Sequence, residues 1–161
     1  MTKIKLDFIG IGAQKAGTTS LYDWLGQHGQ VDAPLEIKDY HFFSNDLWFK
    51  KGYSELEKYY SEKSHIKVHS AVNYLYFHEK CAQRIYNYNP SARIIICLRN
   101  PVDRAVSAYE YCIRTFKETR TFKDALYREI NSQLRTFSEF SHNSYISHGY
   151  YAEQIDGFFK Y

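Results

Sequence analysis

The sequence predicts an α/β fold, a P-loop-type parallel sheet flanked by helices, in one domain over residues 1–161. Three observations predict it. Phe8-Ile9-Gly10-Ile11-Gly12 is a short apolar run that ends in glycine and passes at once into helical spacing. Such a strand, loop and helix make the opening unit of an α/β sheet. Residues 93–98 form a second and stronger apolar run, and a helix-start signal follows it directly.

The elements follow in order. From Thr18, Leu21, Trp24, Leu25 and His28 fall on one helical face, and the helix is expected to stop near Gly29. Residues 66–69 read as a second strand. Cys81, Ala82 and Ile85 suggest a helix that Asn89-Pro90 ends. Arg93-Ile94-Ile95-Ile96-Cys97-Leu98 is the clearest buried strand in the chain. Asn100 then reads as an N-cap, with Pro101 at the first helical position and Asp103 completing a capping-box-like start. Val102, Val106, Tyr109 and Ile113 continue one face of that helix. Thr121 with Asp124 caps another, carried by Phe122, Leu126, Ile130, Leu134 and Phe137. A polar loop over residues 138–144 precedes a last helical piece over 150–161. The chain ends there in an apolar helix tail with no strand after it, so the sheet is expected to be truncated at its C-terminus.

Composition narrows the function. Apolar residues make up 44% and charged residues 24%, as in a soluble globular domain. A net charge of +3 is too small to point to nucleic acid, but it suits a local basic site for an anionic ligand. Three cysteines in no paired spacing argue against a disulfide framework and a zinc site. His65 and His69 could share a strand face, but without carboxylate support the pair reads as structural, so no metal is expected. No stretch nears the ~20 apolar residues of a membrane helix, and the start runs straight into a strand without a signal peptide. A cytoplasmic protein with no membrane partner is therefore expected. Nothing in the sequence speaks to oligomeric state. The 16 tyrosines read as packing residues with wet hydroxyls rather than as a sugar-binding lining.

Three segments carry chemistry. Gly12-Ala13-Gln14-Lys15-Ala16-Gly17-Thr18-Thr19-Ser20 lies between strand and helix, where backbone N–H groups favour an anion. Gly12 and Gly17 have the separation of a nucleotide-hydrolysing P-loop, but Thr18 stands at the usual lysine position and the lysine appears earlier, at Lys15. Lys38-Asp39-Tyr40-His41-Phe42-Phe43 sets a carboxylate beside two cationic side chains. Either Asp39 or His41 could take a proton there, while Phe42 and Phe43 read as core. Arg99 ends the strongest strand, at the edge where ligands of open α/β sheets collect, and Ser107 follows two helical turns in. An arginine fork with a serine hydroxyl suits a phosphate. Arg104 reads as a solvated helix cation.

The loop, the acid–histidine segment and the Leu98-Arg99-Asn100-Pro101-Val102-Asp103-Arg104-Ala105-Val106-Ser107-Ala108-Tyr109 segment together resemble the sulfotransferases that use 3′-phosphoadenosine 5′-phosphosulfate (PAPS). The nearest branch is the heparan sulfate N- and 3-O-sulfotransferases and their bacterial relatives. The resemblance implies transfer of a sulfuryl group to a hydroxyl or amine acceptor, a carbohydrate or another small molecule, with 3′,5′-ADP as product. It assigns Gln14, Lys15, Ala16, Gly17, Thr18, Thr19 and Ser20 to the 5′-phosphosulfate, and Arg99 and Ser107 to the 3′-phosphate. Asp39 stands where the family has a glutamate base, one methylene shorter, and His41 is the alternative. Val68-His69-Ser70-Ala71-Val72-Asn73-Tyr74 resembles the acceptor-side segment, which puts Ser70 and Tyr74 near the acceptor, while Lys38 is expected at the substrate, paired with Asp39 or in contact with the sulfonate. The family's closing strand and adenine-side loop are not found in the sequence. A non-catalytic nucleotide-binding module and a kinase-like NTPase are the rival readings.

Overall fold

A computed structural model of the chain describes residues 4–62, 66–131 and 143–161. β1 (Phe8–Gly12) runs between β3 (Ile66–Ser70) and β4 (Arg93–Ile96), and β2 (Val31–Asp32) lies beyond β3. Every pairing is parallel, in the order β2-β3-β1-β4. Parallel neighbours need crossovers, and α1 (Thr18–Gly26), α2 (Asp46–Phe49), α3 (Ser54–Glu57) and α4 (His78–Tyr88) lie in them, while α5 (Pro101–Arg114), α6 (Phe122–Asn131) and α7 (Tyr151–Phe159) follow β4. The expected α/β sheet with flanking helices is present.

The helix-start signals act as the sequence implies. Asn100 Oδ1 accepts hydrogen bonds from the N–H groups of Val102 and Asp103, at 3.0 and 3.4 Å. At α6, the Asp124 N–H donates to Thr121 Oγ1 at 3.2 Å, and that hydroxyl donates to Asp124 Oδ2 at 2.7 Å. Each cap satisfies N–H groups that the helix leaves open, worth about 1 kcal/mol.

The main core lies on one side of β1. Leu6, Ile9, Ile11, Phe42, Phe43, Leu56 and Leu75 are buried together, and each such side chain contributes roughly 1.5–3 kcal/mol. Several tyrosine hydroxyls inside it are not wet but tie backbone. Tyr88 OH accepts from the Leu6 N–H at 3.2 Å and donates to the Ile4 carbonyl at 3.3 Å. Tyr22 OH and Tyr60 OH both donate to the Val68 carbonyl, at 3.2 and 3.1 Å. Tyr74 OH donates to the Tyr40 carbonyl at 2.9 Å. Aromatic side chains thus tie β3 and the segments before β1 and after Lys38 to the interior.

Four burial expectations are corrected. On α1 the inward residues are Thr18 and Tyr22, four apart, while Trp24 is 69% exposed and His28 is exposed too. The Tyr22 hydroxyl lies 3.2 Å from both the Pro34 and the Val68 carbonyls, which ties this buried side chain to β3 and to the loop after β2. β4 is an edge strand of the described sheet, so Ile94 lies open instead of buried. On α5 the buried face is Arg104 with the small residues Ala105, Ala108 and Cys112, and Val102, Val106 and Ile113 are exposed. Arg104 is no solvated cation: it is fully buried, and its guanidinium donates to the Tyr145 carbonyl. The predicted residues Leu134 and Phe137, most of the 138–144 loop, and His65 lie outside the described residues.

His69, on β3, is fully buried, with Nε2 2.8 Å from Tyr74 OH and 3.2 Å from the Tyr40 carbonyl. Burial pulls its pKa from 6.5 to about 3, only partly opposed by the Tyr40 carbonyl and the Asp39 charge. Between these two values the unfolded chain binds a proton that the folded chain refuses. This histidine's contribution is therefore complete above about pH 6.5 and is lost as the pH falls toward 3. Urea unfolding across this range should show stability falling with acid, and His69→Gln should flatten the slope by up to about 1.4 kcal/mol per pH unit. A slope unaffected by the substitution would contradict a neutral buried imidazole.

Candidate active site

The carboxyl ends of β1, β3 and β4 open onto one cavity of about 420 Å³. Gln14, Lys15, Gly17, Thr18 and Thr19 line it from the loop after β1. Asp39 and Val72 line it from the β3 side, and Arg99, Ser107 and Tyr111 from the β4–α5 side. Residues far apart in sequence meet here because the parallel strands all deliver their following loops to the same edge.

The loop after β1 needs its glycines. Gly12 has φ +130°, and a Cβ there would lie 2.7 Å from the Val72 carbonyl oxygen. Gly17 has φ +84° and precedes α1 without a side chain to cap it. The first N–H groups of α1 are thereby left to face an anion. Lys15 is also left-handed, at φ 68°, and its carbonyl accepts from Arg99 Nη1 at 3.4 Å. The strongest basic side chain of the third segment is thus joined to the loop of the first.

Asp39 is held at the end of β3 by two backbone bonds. Its N–H donates to the Ser70 carbonyl at 2.9 Å, and its Oδ1 accepts from the Val72 N–H at 3.0 Å. Its Oδ2 lies 2.8 Å from Lys38 Nζ. Among the described residues, Asp39 is the only acid lining the cavity, against Lys15 and Arg99. Burial and the nearby Arg114 and Arg99 guanidinium groups draw the Lys15 pKa down, with Cys112 and Glu110 opposing. The described lining is therefore net positive, with Lys15 and Arg99 against one carboxylate.

The chain matches the sulfotransferase domain family over residues 5–161. It belongs to that family. A crystal structure of a sulfotransferase from Alicyclobacillus acidocaldarius superposes with a TM-score of 0.84 at 30% identity, covering 98% of this chain and 69% of that one. Heparan sulfate glucosamine 3-O-sulfotransferase 5 of Mus musculus is 35% identical over 102 residues, 62% of this chain and 28% of that protein. The bifunctional heparan sulfate N-deacetylase/N-sulfotransferase 3 of Homo sapiens is 28% identical over 165 residues, 96% of this chain and 18% of that protein. This chain therefore spans less than a third of the length of these two curated relatives.

Within this sulfotransferase domain, eight of the sequence-derived site residues meet at the cavity: Gln14, Lys15, Gly17, Thr18, Thr19, Asp39, Arg99 and Ser107. Ala16, packed on the core, and Ser20, exposed on α1, do not line it. His41 is turned aside, its Nδ1 3.0 Å from the Asn73 side-chain amide. The two acceptor-side expectations at Ser70 and Tyr74 fall in the interior. Ser70 is 4% exposed and faces Gly10, while Tyr74 is completely buried with its hydroxyl engaged by His69 and Tyr40. Lys38 reaches the site only through Asp39. Sequence reasoning missed Val72 and Tyr111. Tyr111 had a signal, since it stands four residues after Ser107 and so on the same helix face.

Gly12→Ala should cost about 2–4 kcal/mol by urea unfolding, because a strained φ and a backbone clash add together. Gly17→Ala meets open space and should cost only about 1 kcal/mol from its φ. Equal costs at the two positions would contradict the close approach to Val72.

Proposed function

We propose that residues 1–161 act as one domain that transfers a sulfuryl group from PAPS to a hydroxyl or amine acceptor, with a carbohydrate as the acceptor class. One observation carries the reading: Lys15, Asp39, Arg99 and Ser107, from three separate motifs, line a single cavity. Both 3-O- and N-sulfotransferases of heparan sulfate among its relatives support the acceptor class. Three free cysteines fit a reducing, cytoplasmic setting.

The donor set suits a phosphosulfate with a second phosphate. The first turn of α1 and the Thr18 and Thr19 hydroxyls offer hydrogen bonds to 5′-phosphate oxygens. Arg99 and Ser107, across the cavity, offer a fork and a hydroxyl to the 3′-phosphate. PAPS when bound supplies the sulfuryl group and a phosphate leaving group. Asp39 accepts the acceptor's proton as its oxygen or nitrogen attacks. Among the two candidate bases, Asp39 is favoured because it lines the cavity and His41 does not. Lys15 places its ammonium where charge grows on the departing phosphate oxygen, an interaction stronger in the transition state than before it. A sulfuryl group carries one negative charge, so a lysine and helix N–H groups answer most of the charge without a divalent ion.

Lys15→Ala should lower transfer of labelled sulfuryl group from PAPS by at least about 100-fold, in the range of removing one transition-state donor. Arg99→Ala should instead weaken donor binding by about 10- to 100-fold. Undiminished turnover in Lys15→Ala, or an unchanged donor KM in Arg99→Ala, would remove these assignments.

A further inference from the structure

Tyr111 belongs to none of the three motifs, yet its ring faces the cavity beside the residues that would hold the donor. Lys15 Nζ lies 4.5 Å from the centroid of that ring, and Lys117 Nζ lies 5.6 Å from it. The position of Lys15 calls for such a contact. Its side chain is a flexible stem, and the guanidinium groups of Arg114 and Arg99 both press on its charge while burial removes water from it. An ammonium so placed would otherwise swing outward to solvent. The negative face of an aromatic ring attracts it back without spending a carboxylate. A carboxylate there would neutralise the charge that an anionic donor needs. The ring engages one side of the ammonium and leaves N–H donors over for an anion in the cavity that Lys15 lines.

We propose that Tyr111 is a positioning residue, whose ring holds the Lys15 ammonium in place across the cavity before the donor arrives. The ring therefore limits how much side-chain freedom Lys15 loses when it meets the leaving phosphate. The functional half rests on the sulfuryl-transfer reading, whereas the contact itself does not. The ring face acts rather than the hydroxyl, so phenylalanine can replace tyrosine and leucine cannot.

Two measurements test this on the chain as it stands. The first is the proton–carbon NMR spectrum of the lysine side chains, with the Lys15 signal assigned by its loss in Lys15→Arg. Its ε-CH₂ resonance should lie upfield of the other cavity-remote lysines through the ring current. Tyr111→Phe should keep that shift and Tyr111→Leu should abolish it. The second is steady-state transfer from PAPS. Tyr111→Leu should lower kcat by about five- to tenfold with the donor KM within about twofold, and Tyr111→Phe should recover most of the loss. An unshifted Lys15 signal in the native chain overturns the contact. A phenylalanine variant as impaired as leucine overturns the ring-face role, as does a leucine variant that raises KM while leaving kcat alone. Absence of transfer by the native chain with a shifted Lys15 signal would instead count against the sulfuryl-transfer reading.

Discussion

At the carboxyl end of the sheet, β1 approaches β3 and its continuation so closely that two β1 positions have no room for a side chain. A Cβ on Gly10 would lie 2.7 Å from Ser70 Oγ, and one on Gly12 equally near the Val72 carbonyl. The same stretch of chain that presses on Gly12 also fixes Asp39, through the Ser70 carbonyl and the Val72 N–H. One backbone segment therefore sets two distances together, that of the phosphate loop to the sheet and that of the carboxylate to the loop. Lys15 and Asp39 meet at one cavity because both are referred to residues 70–72.

The interior beneath this junction is built to keep it from shifting. His69 and Tyr74 form a buried polar pair under the Asp39 segment, and Tyr74 OH also accepts from the Phe43 N–H at 3.3 Å. Phe42 and Phe43, next in sequence to the acid–histidine pair, fill the core. The segment is thus anchored by aromatic burial at one end and by backbone bonds at the other. On the opposite wall, buried Arg104 ties α5 to the Tyr145 carbonyl, which steadies the helix that presents Ser107 and Tyr111.

Local chemistry was legible in the sequence, and tertiary burial was less so. The glycine loop, the Asn100 and Thr121 caps and the strand-to-arginine step depend on neighbours in sequence, and they stand in the structure where the pattern puts them. The acceptor-side reading of Ser70 and Tyr74 rested on likeness of a segment, and the segment turns both side chains inward. Apolar periodicity misled at α5 and β4. Val102, Val106 and Ile94 are apolar, yet none of the described elements covers them, and alanines take the packed face instead. The contact of Tyr111 with Lys15 was hidden for another reason: it spans almost a hundred residues, and only the helical spacing from Ser107 marked Tyr111 locally.

The most direct test of a two-phosphate cradle is calorimetric titration of this chain with 3′,5′-ADP and, separately, with 5′-AMP, both in the presence of a chelator. The cavity as described should bind 3′,5′-ADP at least about tenfold more tightly, since only that ligand engages Arg99 and Ser107 as well as the loop. Equal affinities, or binding only of ATP with Mg²⁺, would contradict the assignment of the two walls to two phosphates.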